Sequence, residues 1–400
     1  MPRKSILTLF GTRPEVIKLA PVILQLEKRK DVLDTINVFS GQHADLVRTL
    51  AEFFGIRIDC DCRLMTFDQD PEELLRRAVR RVCDIVRRER PDLVVVQGDT
   101  STALAGAIAG NRCGIPVAHV EAGLRSGSLF SPYPEEVNRI SITRLATLHF
   151  AATESNRDSL LREGVAETSI VVTGNPIVDA LKLVLDNRGS QAEPCLIRCV
   201  SAPKCIVLTT HRRESFGRVL EQNLRVIRSF VEEHADTHLV FPVHPNPNTR
   251  ILAFDILGDH PRITLTSALP YAEFIGLLSK CWLVISDSGG VQEEVPSLGK
   301  PLLILRENTE RQECIETGIA RLVGGRPEVL RAMLEEACQP GSWVNSVHKI
   351  ANPFGSGNSA ERIVRQIVSW LQVPQRSGAP SQFVPTSHAV GGTAPVQFLQ

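Results

Sequence analysis

Three carboxylate-bearing positions in this 400-residue sequence lie within one short stretch. Asp99 follows an apolar run at Leu93 to Val96. Glu121 follows a second apolar run at Ile115 to Val120, and Glu135 stands where the next helix is predicted to begin. Carboxylates gathered in one crevice raise each other's pKa and can hold a proton in common, which suits general acid–base catalysis. The stretch therefore predicts a proton-transfer site.

The elements that must position these side chains form a βαβ unit. The two apolar runs are short and rich in β-branched residues, as buried strands are, and the small residues between them suit a packed helix. Strand, helix and strand at this spacing make the two strands parallel. Because open parallel sheets bind ligands outside the carboxyl ends of their strands, we expect the three carboxylates to line a ligand crevice.

A glycine turn follows the first predicted strand, Ile6 to Phe10. This turn, Gly11 to Pro14, opens a helix predicted over Glu15 to Lys28. Free backbone N–H groups and the positive end of the helix dipole suit a phosphate there, and Arg13 and Lys18 add cationic side chains. On the local sequence alone, contact with a phosphate or sugar and a plain helix cap are equally good interpretations.

The second half of the chain has its own strand-end turns. His211 stands two residues after the strand predicted over Cys205 to Thr209, with Arg212 beside it, and His244 stands in a proline-rich turn. A histidine at the carboxyl end of a strand is well placed for function, although a structural role is the alternative.

A further turn carries a hydroxyl and two glycines, Ser288, Gly289 and Gly290, at the start of a helix. Glycines let the backbone approach a pyrophosphate, and Glu294 in the same helix could accept hydrogen bonds from ribose hydroxyls. Arg311, in the loop after the next strand, could neutralise phosphate charge. A capped helix with a glycine hinge is the alternative interpretation.

The length predicts two domains, and the alternation of strands and helices in both halves predicts an α/β protein with two parallel-sheet, Rossmann-like domains. The boundaries are 1–187 for an N-terminal domain with the carboxylates and 204–355 for a C-terminal domain with the Ser288 turn. A helix at 356–372 is expected to pack back across the domains, and 374–400 is expected to be a disordered tail. The equal counts of 45 basic and 45 acidic residues argue against a nucleic-acid or membrane-surface partner.

The ten cysteines predict free thiols and no metal site. Cys60 and Cys62 stand too close for the usual zinc pair, and the others have no histidine partner at zinc-finger spacing. The sequence starts with a strand pattern instead of a signal peptide, so we expect a cytoplasmic protein.

Eight ordered strings spread over about Ile6 to Leu371 resemble the non-hydrolysing UDP-N-acetylglucosamine 2-epimerases. They are GTRPEVIKLAPV, GDTSTALA, HVEAGLRSG, SPYPEEVNR, GNPIVDAL, HRRESFG, PVHPNPN and SDSGGVQEEVPSLGKP. The resemblance implies the two-domain glycosyltransferase-B architecture, with the active site in the interdomain cleft. It also implies interconversion of UDP-GlcNAc and UDP-ManNAc by anti elimination of UDP to 2-acetamidoglucal and re-addition. The resemblance implies no cofactor. It does imply a homodimer that supplies ManNAc units for the synthesis of cell-surface polysaccharide.

The resemblance also implies roles for individual residues. The acid/base carboxylates are Asp99, Glu121 and Glu135, and His211 supports the departure and return of UDP. Substrate contacts are carried over to Arg13, Lys18, Arg139, Phe274, Ser288, Gly289, Gly290, Glu294 and Arg311. An allosteric site for UDP-GlcNAc would include Gln42, His43, Arg212 and His244. Many bacterial relatives build part of this site from a Gln-His-x-x-Gln segment, and here Asp45 stands at its fourth position.

Four alternatives remain open at this point. A glycosyltransferase of the same architecture would share the phosphate turn and would release UDP only with an acceptor. A hydrolysing relative would release free ManNAc, and another relative would act on a UDP-diacetamido-uronate. A non-catalytic nucleotide-sugar binder would not need the carboxylates, yet all three are present.

Overall fold

A computed structural model describes residues 3–42, 44–65, 70–130, 132–186, 202–210 and 217–373. Three predicted site residues, His43, His211 and Arg212, lie outside these ranges, as does the predicted tail at 374–400. Two sheets of parallel strands with interleaved helices make up the described part, which confirms the predicted α/β class.

The first sheet has seven described strands in the order β3-β2-β1-β4-β5-β6-β7, all parallel. The strands are β1 Lys4–Phe10, β2 Leu33–Phe39, β3 Cys60–Asp61, β4 Leu93–Gln97, β5 Val117–Ala122, β6 Leu148–Ala151 and β7 Ile170–Val172. The helices are α1 Arg13–Glu27, α2 Ala44–Phe54, α3 Pro71–Glu89, α4 Ser101–Arg112, α5 Glu135–Leu145, α6 Glu154–Arg162 and α7 Pro176–Asp186.

The second sheet has six described strands in the order β10-β9-β8-β11-β12-β13, also parallel. The strands are β8 Lys204–Thr209, β9 Thr237–Pro242, β10 Ile263–Thr266, β11 Leu283–Ser286, β12 Leu302–Ile304 and β13 Ala320–Leu322. The helices are α8 Arg218–Glu233, α9 Pro247–Leu257, α10 Tyr271–Lys280, α11 Gly289–Glu294, α12 Gln312–Glu316, α13 Pro327–Cys338 and α14 Ser359–Gln372.

Helices cover both faces of the first sheet, which is why its central strands are continuous apolar runs. One face packs on α3 and α4, and the other packs on α1 and α7. The apolar cluster on the α1 face continues into the second half of the chain, where it includes Val284 of β11 and Ile363 of α14. The two halves therefore share a continuous hydrophobic core.

Helix α14 packs against α1 and α7, at the side of the first sheet. Asp179 of α7 caps it, because the carboxylate accepts hydrogen bonds from the N–H groups of Ser359 and Ala360, each at 3.1 Å. Burial raises the pKa of Asp179, while these two backbone donors oppose that shift. Residues 187–201, where the boundary between the two domains was predicted, are not described. The division with limits at 187 and 204 therefore stays a prediction.

Some element boundaries differ from the prediction. Strand β5 continues through Glu121 to Ala122 instead of ending at Val120. Helix α1 begins at Arg13, two residues early, because the Glu15 carboxylate accepts hydrogen bonds from the N–H groups of Gly11 and Thr12 at 3.0 and 2.7 Å. No helix in the described ranges is both long enough and apolar enough to cross a membrane.

Candidate active site

Glu121 lies in a bulge of β5. Its φ of 67° is in the left-handed region, and the pairing of β5 with β6 shifts register between Val120 and Ala122. Regular alternation would send Glu121 to the sheet face opposite Val120. The bulge instead brings its carboxylate to Lys18 of α1, on the same face as Val120. Positive φ is unfavourable for a glutamate, and such outliers often mark functional positions.

Lys18 connects the two halves of the chain. Its ammonium Nζ lies 2.6 Å from Glu121 Oε2 and 2.6 Å from Glu293 Oε2, and Glu293 belongs to α11 of the second half. Arg311 donates from Nε and Nη2 to Glu293 Oε1 at 2.8 and 2.6 Å. The four side chains, here called the buried ion cluster, balance two positive and two negative charges, and all four residues are buried.

The cluster shifts the pKa values of its carboxyl groups in opposite directions. Burial, and then the charge of Glu293, raise the pKa of Glu121 to about 7 despite the nearby Lys18. Burial alone would also raise the pKa of Glu293, but Arg311 and Lys18 reverse this and lower it to about 2. A carboxyl whose pKa is near neutral can both accept and release a proton, which is what general acid–base catalysis requires. The raised pKa of Glu121 is therefore in the range that suits an acid–base group.

A second group of charges surrounds Arg139 of α5. Its Nη2 lies 2.5 Å from Asp99 Oδ2 and its Nη1 lies 2.7 Å from Glu136 Oε2. Glu310 of the second half reaches the same guanidinium at 4.0 Å. The structure thus brings Asp99 and Arg139 together, with the Asp99 side chain 23% exposed and open to a ligand.

Glu135 opens α5, as predicted, and the neighbouring Glu136 takes the bond to Arg139. The Oε2 atom of Glu135 is buried and has no hydrogen-bond partner among the described residues. A buried carboxylate oxygen without a donor is costly, and a polar group of a ligand would relieve that cost.

The turn at Ser288 lies beside Arg311. Ser288 caps α11, and a Cβ added to Gly289 would lie only 2.9 Å from Arg311 Nη1, so a glycine is required for this approach. Arg311 also contacts Glu310 Oε2 at 3.2 Å from Nη1. A Cβ on Gly290 would meet only Ser288 Oγ, at 3.8 Å, which leaves room for a ligand at this turn.

Three other predicted contacts, Glu294, Arg13 and Phe274, belong to three different helices. Glu294 is buried next to Tyr271, and burial, then the Glu294 charge, raise the pKa of Tyr271 well above its ordinary range. Arg13 is exposed, and its positive charge opposes the burial-driven rise in the pKa of Glu294. Phe274 is half-buried on the first turn of α10. The charges of Glu294 and Arg13, from opposite halves of the chain, therefore interact.

Of the four predicted allosteric residues, only Gln42 and His244 lie within the described ranges. Gln42 accepts a hydrogen bond at 2.8 Å from Thr102 Oγ1, within the first half of the chain. The ring Nδ1 of His244 accepts one at 3.2 Å from the N–H of Asn246, within its own turn. Because His43 and Arg212 are not described, an allosteric site stays a prediction.

The described residues offer no group of three or more histidine, cysteine, aspartate or glutamate side chains arranged to hold a metal ion. The eight cysteines within the described ranges carry free thiols.

Sequence reasoning missed three contributors, Glu293, Glu310 and Gln97. Glu293 precedes the predicted ribose contact Glu294, and only the fold shows that Glu293 faces Lys18. Glu310 bonds Arg306 at 2.9 Å as well as Arg311. Gln97 Nε2 donates a hydrogen bond to Glu121 Oε2. The sequence carried a signal only for Gln97, because a polar residue at the end of an apolar strand indicates a position near a ligand crevice.

Comparison with known proteins shows which family this chain resembles over most of its length. A family model described as UDP-N-acetylglucosamine 2-epimerase matches residues 25–368. The chain is similar to the UDP-N-acetylglucosamine 2-epimerase of Bacillus subtilis strain 168, with 38% identity over 368 residues, or 92% of this chain and 96% of that protein.

Solved structures are similar as well. The UDP-GlcNAc 2-epimerase from Neisseria meningitidis bound to UDP-GlcNAc matches with a TM-score of 0.85 at 34% identity, covering 91% of this chain and 100% of that one. The MnaA–UDP structure from S. aureus matches with a TM-score of 0.86 at 37% identity, covering 95% and 100%.

Proposed function

Because the chain belongs to the UDP-N-acetylglucosamine 2-epimerase family, we propose that it interconverts UDP-GlcNAc and UDP-ManNAc. The main structural support for this proposal is the buried ion cluster. It joins a carboxyl group of near-neutral pKa to an arginine beside the glycine turn of α11, so proton transfer and diphosphate binding are adjacent. Relatives solved with UDP-GlcNAc and with UDP support the choice of ligand.

The reaction begins when a base removes the proton from C2 of the sugar. The electrons of that C–H bond form the C1=C2 double bond of 2-acetamidoglucal, and the bond between C1 and the UDP oxygen breaks, so UDP leaves as an anion. An acid then delivers a proton to the opposite face of C2, and the UDP oxygen adds back to C1. Epimerisation therefore needs proton-transfer groups on two faces of the sugar.

We assign the proton-transfer roles to Asp99, Glu121 and Glu135. Glu121 pairs with Lys18, and Asp99 pairs with Arg139, at different places in a series of charges that Glu310 and Arg311 connect. These different places support two distinct sites of proton transfer. Glu135 supplies a buried oxygen that lacks a protein donor in the described structure. His211, not described, keeps its proposed role of supporting the departure and return of UDP.

The UDP side is assigned to the second half of the chain. Arg311 and the N–H groups at Ser288, Gly289 and Gly290 would bind the diphosphate, since helix N-termini and glycine turns favour anions. Glu294 would accept hydrogen bonds from the ribose, and Phe274 would contact the uracil. Arg13, Lys18 and Arg139 would complete the substrate contacts from the first half.

Three further features belong to the proposal. The protein is expected to work as a homodimer in the cytoplasm and to supply ManNAc units for cell-surface polysaccharide. The division into domains at 1–187, 204–355 and 356–372 would place the substrate in the cleft between the first two. Sedimentation of the purified protein at several concentrations would test the dimer.

Separation of the nucleotide sugars by anion-exchange chromatography tests the activity. Purified protein is incubated with UDP-GlcNAc alone or with UDP-ManNAc alone, and no acceptor is added. The proposal predicts that both reactions reach the same ratio of the two nucleotide sugars. UDP that accumulates only after an acceptor sugar is added would instead indicate a glycosyltransferase, and free ManNAc with UDP would indicate a hydrolysing enzyme.

A further inference from the structure

Gln97, the last residue of β4, has a buried side chain that the proposed mechanism has not used. Its amide Nε2 donates a hydrogen bond to Glu121 Oε2, the same oxygen that Lys18 Nζ contacts at 2.6 Å. We propose that Gln97 is a positioning residue that, together with Lys18, holds Glu121 Oε2 so that Oε1 exchanges the proton with substrate. This inference rests on the proposed epimerase function.

The two donors make the oxygens of Glu121 unequal. Oε2 accepts from both the Gln97 amide and the Lys18 ammonium, whereas no described residue donates a hydrogen bond to Oε1. A carboxylate oxygen that holds two donors has little capacity left for a proton. The other oxygen is then the one available to the reactant.

The backbone fixes Gln97 relative to the bulge. Gln97 pairs in register with Val120, immediately before Glu121. The N–H of the next residue, Gly98, donates to Val120 O at 3.1 Å, and a ring nitrogen of His119 lies 2.7 Å from Gly98 O. The end of β4 is therefore attached to β5 at the residues that precede the bulge, and the amide is held in place for Glu121.

A purely structural role for Gln97 makes a different prediction. A buried glutamine that only satisfies its own hydrogen bonds would affect folding stability and nothing else. A donor directed at a carboxylate also favours the charged form, so its removal raises the proton affinity of that carboxyl. The charges facing Glu121 from neighbouring elements are Lys18 of α1, Glu293 of α11 and Arg311, and all remain when Gln97 is replaced.

The test compares Gln97→Met with wild type by ¹³C NMR titration of protein labelled at the glutamate carboxyl carbons. The Glu121→Gln variant identifies the Glu121 resonance. We expect the titration midpoint of Glu121 to rise by about one pH unit in Gln97→Met, the size expected for a hydrogen bond to a charged group. The limb of the kcat–pH profile that reports Glu121 should move by the same amount, while the Kd of UDP stays unchanged.

Thr8→Val serves as the matched control, because Thr8 is buried in the same sheet and donates to Asn37 Oδ1 at 2.8 Å, away from Glu121. The titration curve of Glu121 in Thr8→Val should match that of Glu121 in wild type. If Gln97→Met does not fold, Gln97→Asn keeps the amide but withdraws it by one methylene, and it should show the same upward shift.

An unchanged Glu121 midpoint in the folded Gln97 variant, or an equal shift in Thr8→Val, would overturn the inference. Failure of the proposed function is recognised separately, because wild-type protein would then show no epimerisation while the carboxyl titration could still be measured.

Discussion

Removal of the Lys18 ammonium tests the buried ion cluster most severely. In Lys18→Met, Glu121 and Glu293 lose a cation that lies 2.6 Å from each of them. Glu293 keeps its ion pair with Arg311, whereas Glu121 keeps the neutral amide of Gln97 and the charge of Arg311, with which it forms no ion pair in the described structure. Breaking a buried ion pair by removing one partner costs about 3–5 kcal/mol of folding free energy. The loss should depend on pH, because Glu121 can become neutral by binding a proton.

The size of that pH dependence follows from linkage. In wild type the pKa of Glu121 is raised to about 7, so its favourable contribution is present at low pH and is lost as the pH rises through 7. Between pH 6 and pH 8 this loss is about 1.4 kcal/mol. If removal of Lys18 raises the pKa to about 9, the upper range for buried glutamate, the loss becomes about 2.7 kcal/mol. Lys18→Met should therefore lose about 1.3 kcal/mol more than wild type over this interval.

Urea unfolding at pH 6 and pH 8 measures the effect. Lys4→Met is the matched control, because the Lys4–Asp92 pair spans 2.8 Å but its side chains are 46% and 32% exposed. An exposed pair contributes only about 0–1 kcal/mol, so the control should follow the wild-type pH dependence. The same change in stability between pH 6 and pH 8 for Lys18→Met and wild type would refute the assignment of Glu121 as a carboxyl held near neutrality by this cluster.

Other substitutions test other parts of the site. Asp99→Asn and Glu121→Gln should each lower kcat by ~10²-fold or more with UDP affinity unchanged, since each removes a proton-transfer group; wild-type turnover in both would contradict the roles. Gly289→Ala should weaken UDP binding roughly tenfold in calorimetry, because its Cβ would lie 2.9 Å from a guanidinium nitrogen. Gly276→Ala, which meets nothing within 4 Å, should bind UDP as wild type does, and equal affinities in the two variants would argue against the steric account. Asp179→Ala should lower the free energy of unfolding by about 1–2 kcal/mol through loss of the α14 cap, and an unchanged urea midpoint would show that the cap contributes nothing.

The architecture was largely predictable from the sequence, because buried parallel strands leave continuous apolar runs. The runs predicted at Leu93 to Val96 and Cys205 to Thr209 correspond to the observed strands β4 and β8. The short strands β3 and β13 were not predicted. Two or three residues at the edge of a sheet carry too little apolar pattern to be separated from a loop.

The site was predicted in its residue types more than in its contacts. Asp99, Glu121, Arg139 and Lys18 were singled out, and the structure pairs Lys18 with Glu121 and Arg139 with Asp99. The bulge that turns Glu121 toward α1 could not be predicted, since a backbone irregularity inside a strand does not change the apolar pattern. Charges from opposite halves of the chain meet only after both sheets have formed, which is why Glu293 was missed.

Proton exchange at C2 of the sugar is the central claim, and proton NMR in deuterated water measures it directly. Purified protein is mixed with UDP-GlcNAc in D₂O, and the C2 proton and the signals of both nucleotide sugars are followed. The account predicts that UDP-ManNAc signals grow in and that deuterium replaces hydrogen at C2. Product that forms with its C2 hydrogen fully retained, or a spectrum that stays unchanged while UDP-GlcNAc is bound, would contradict it.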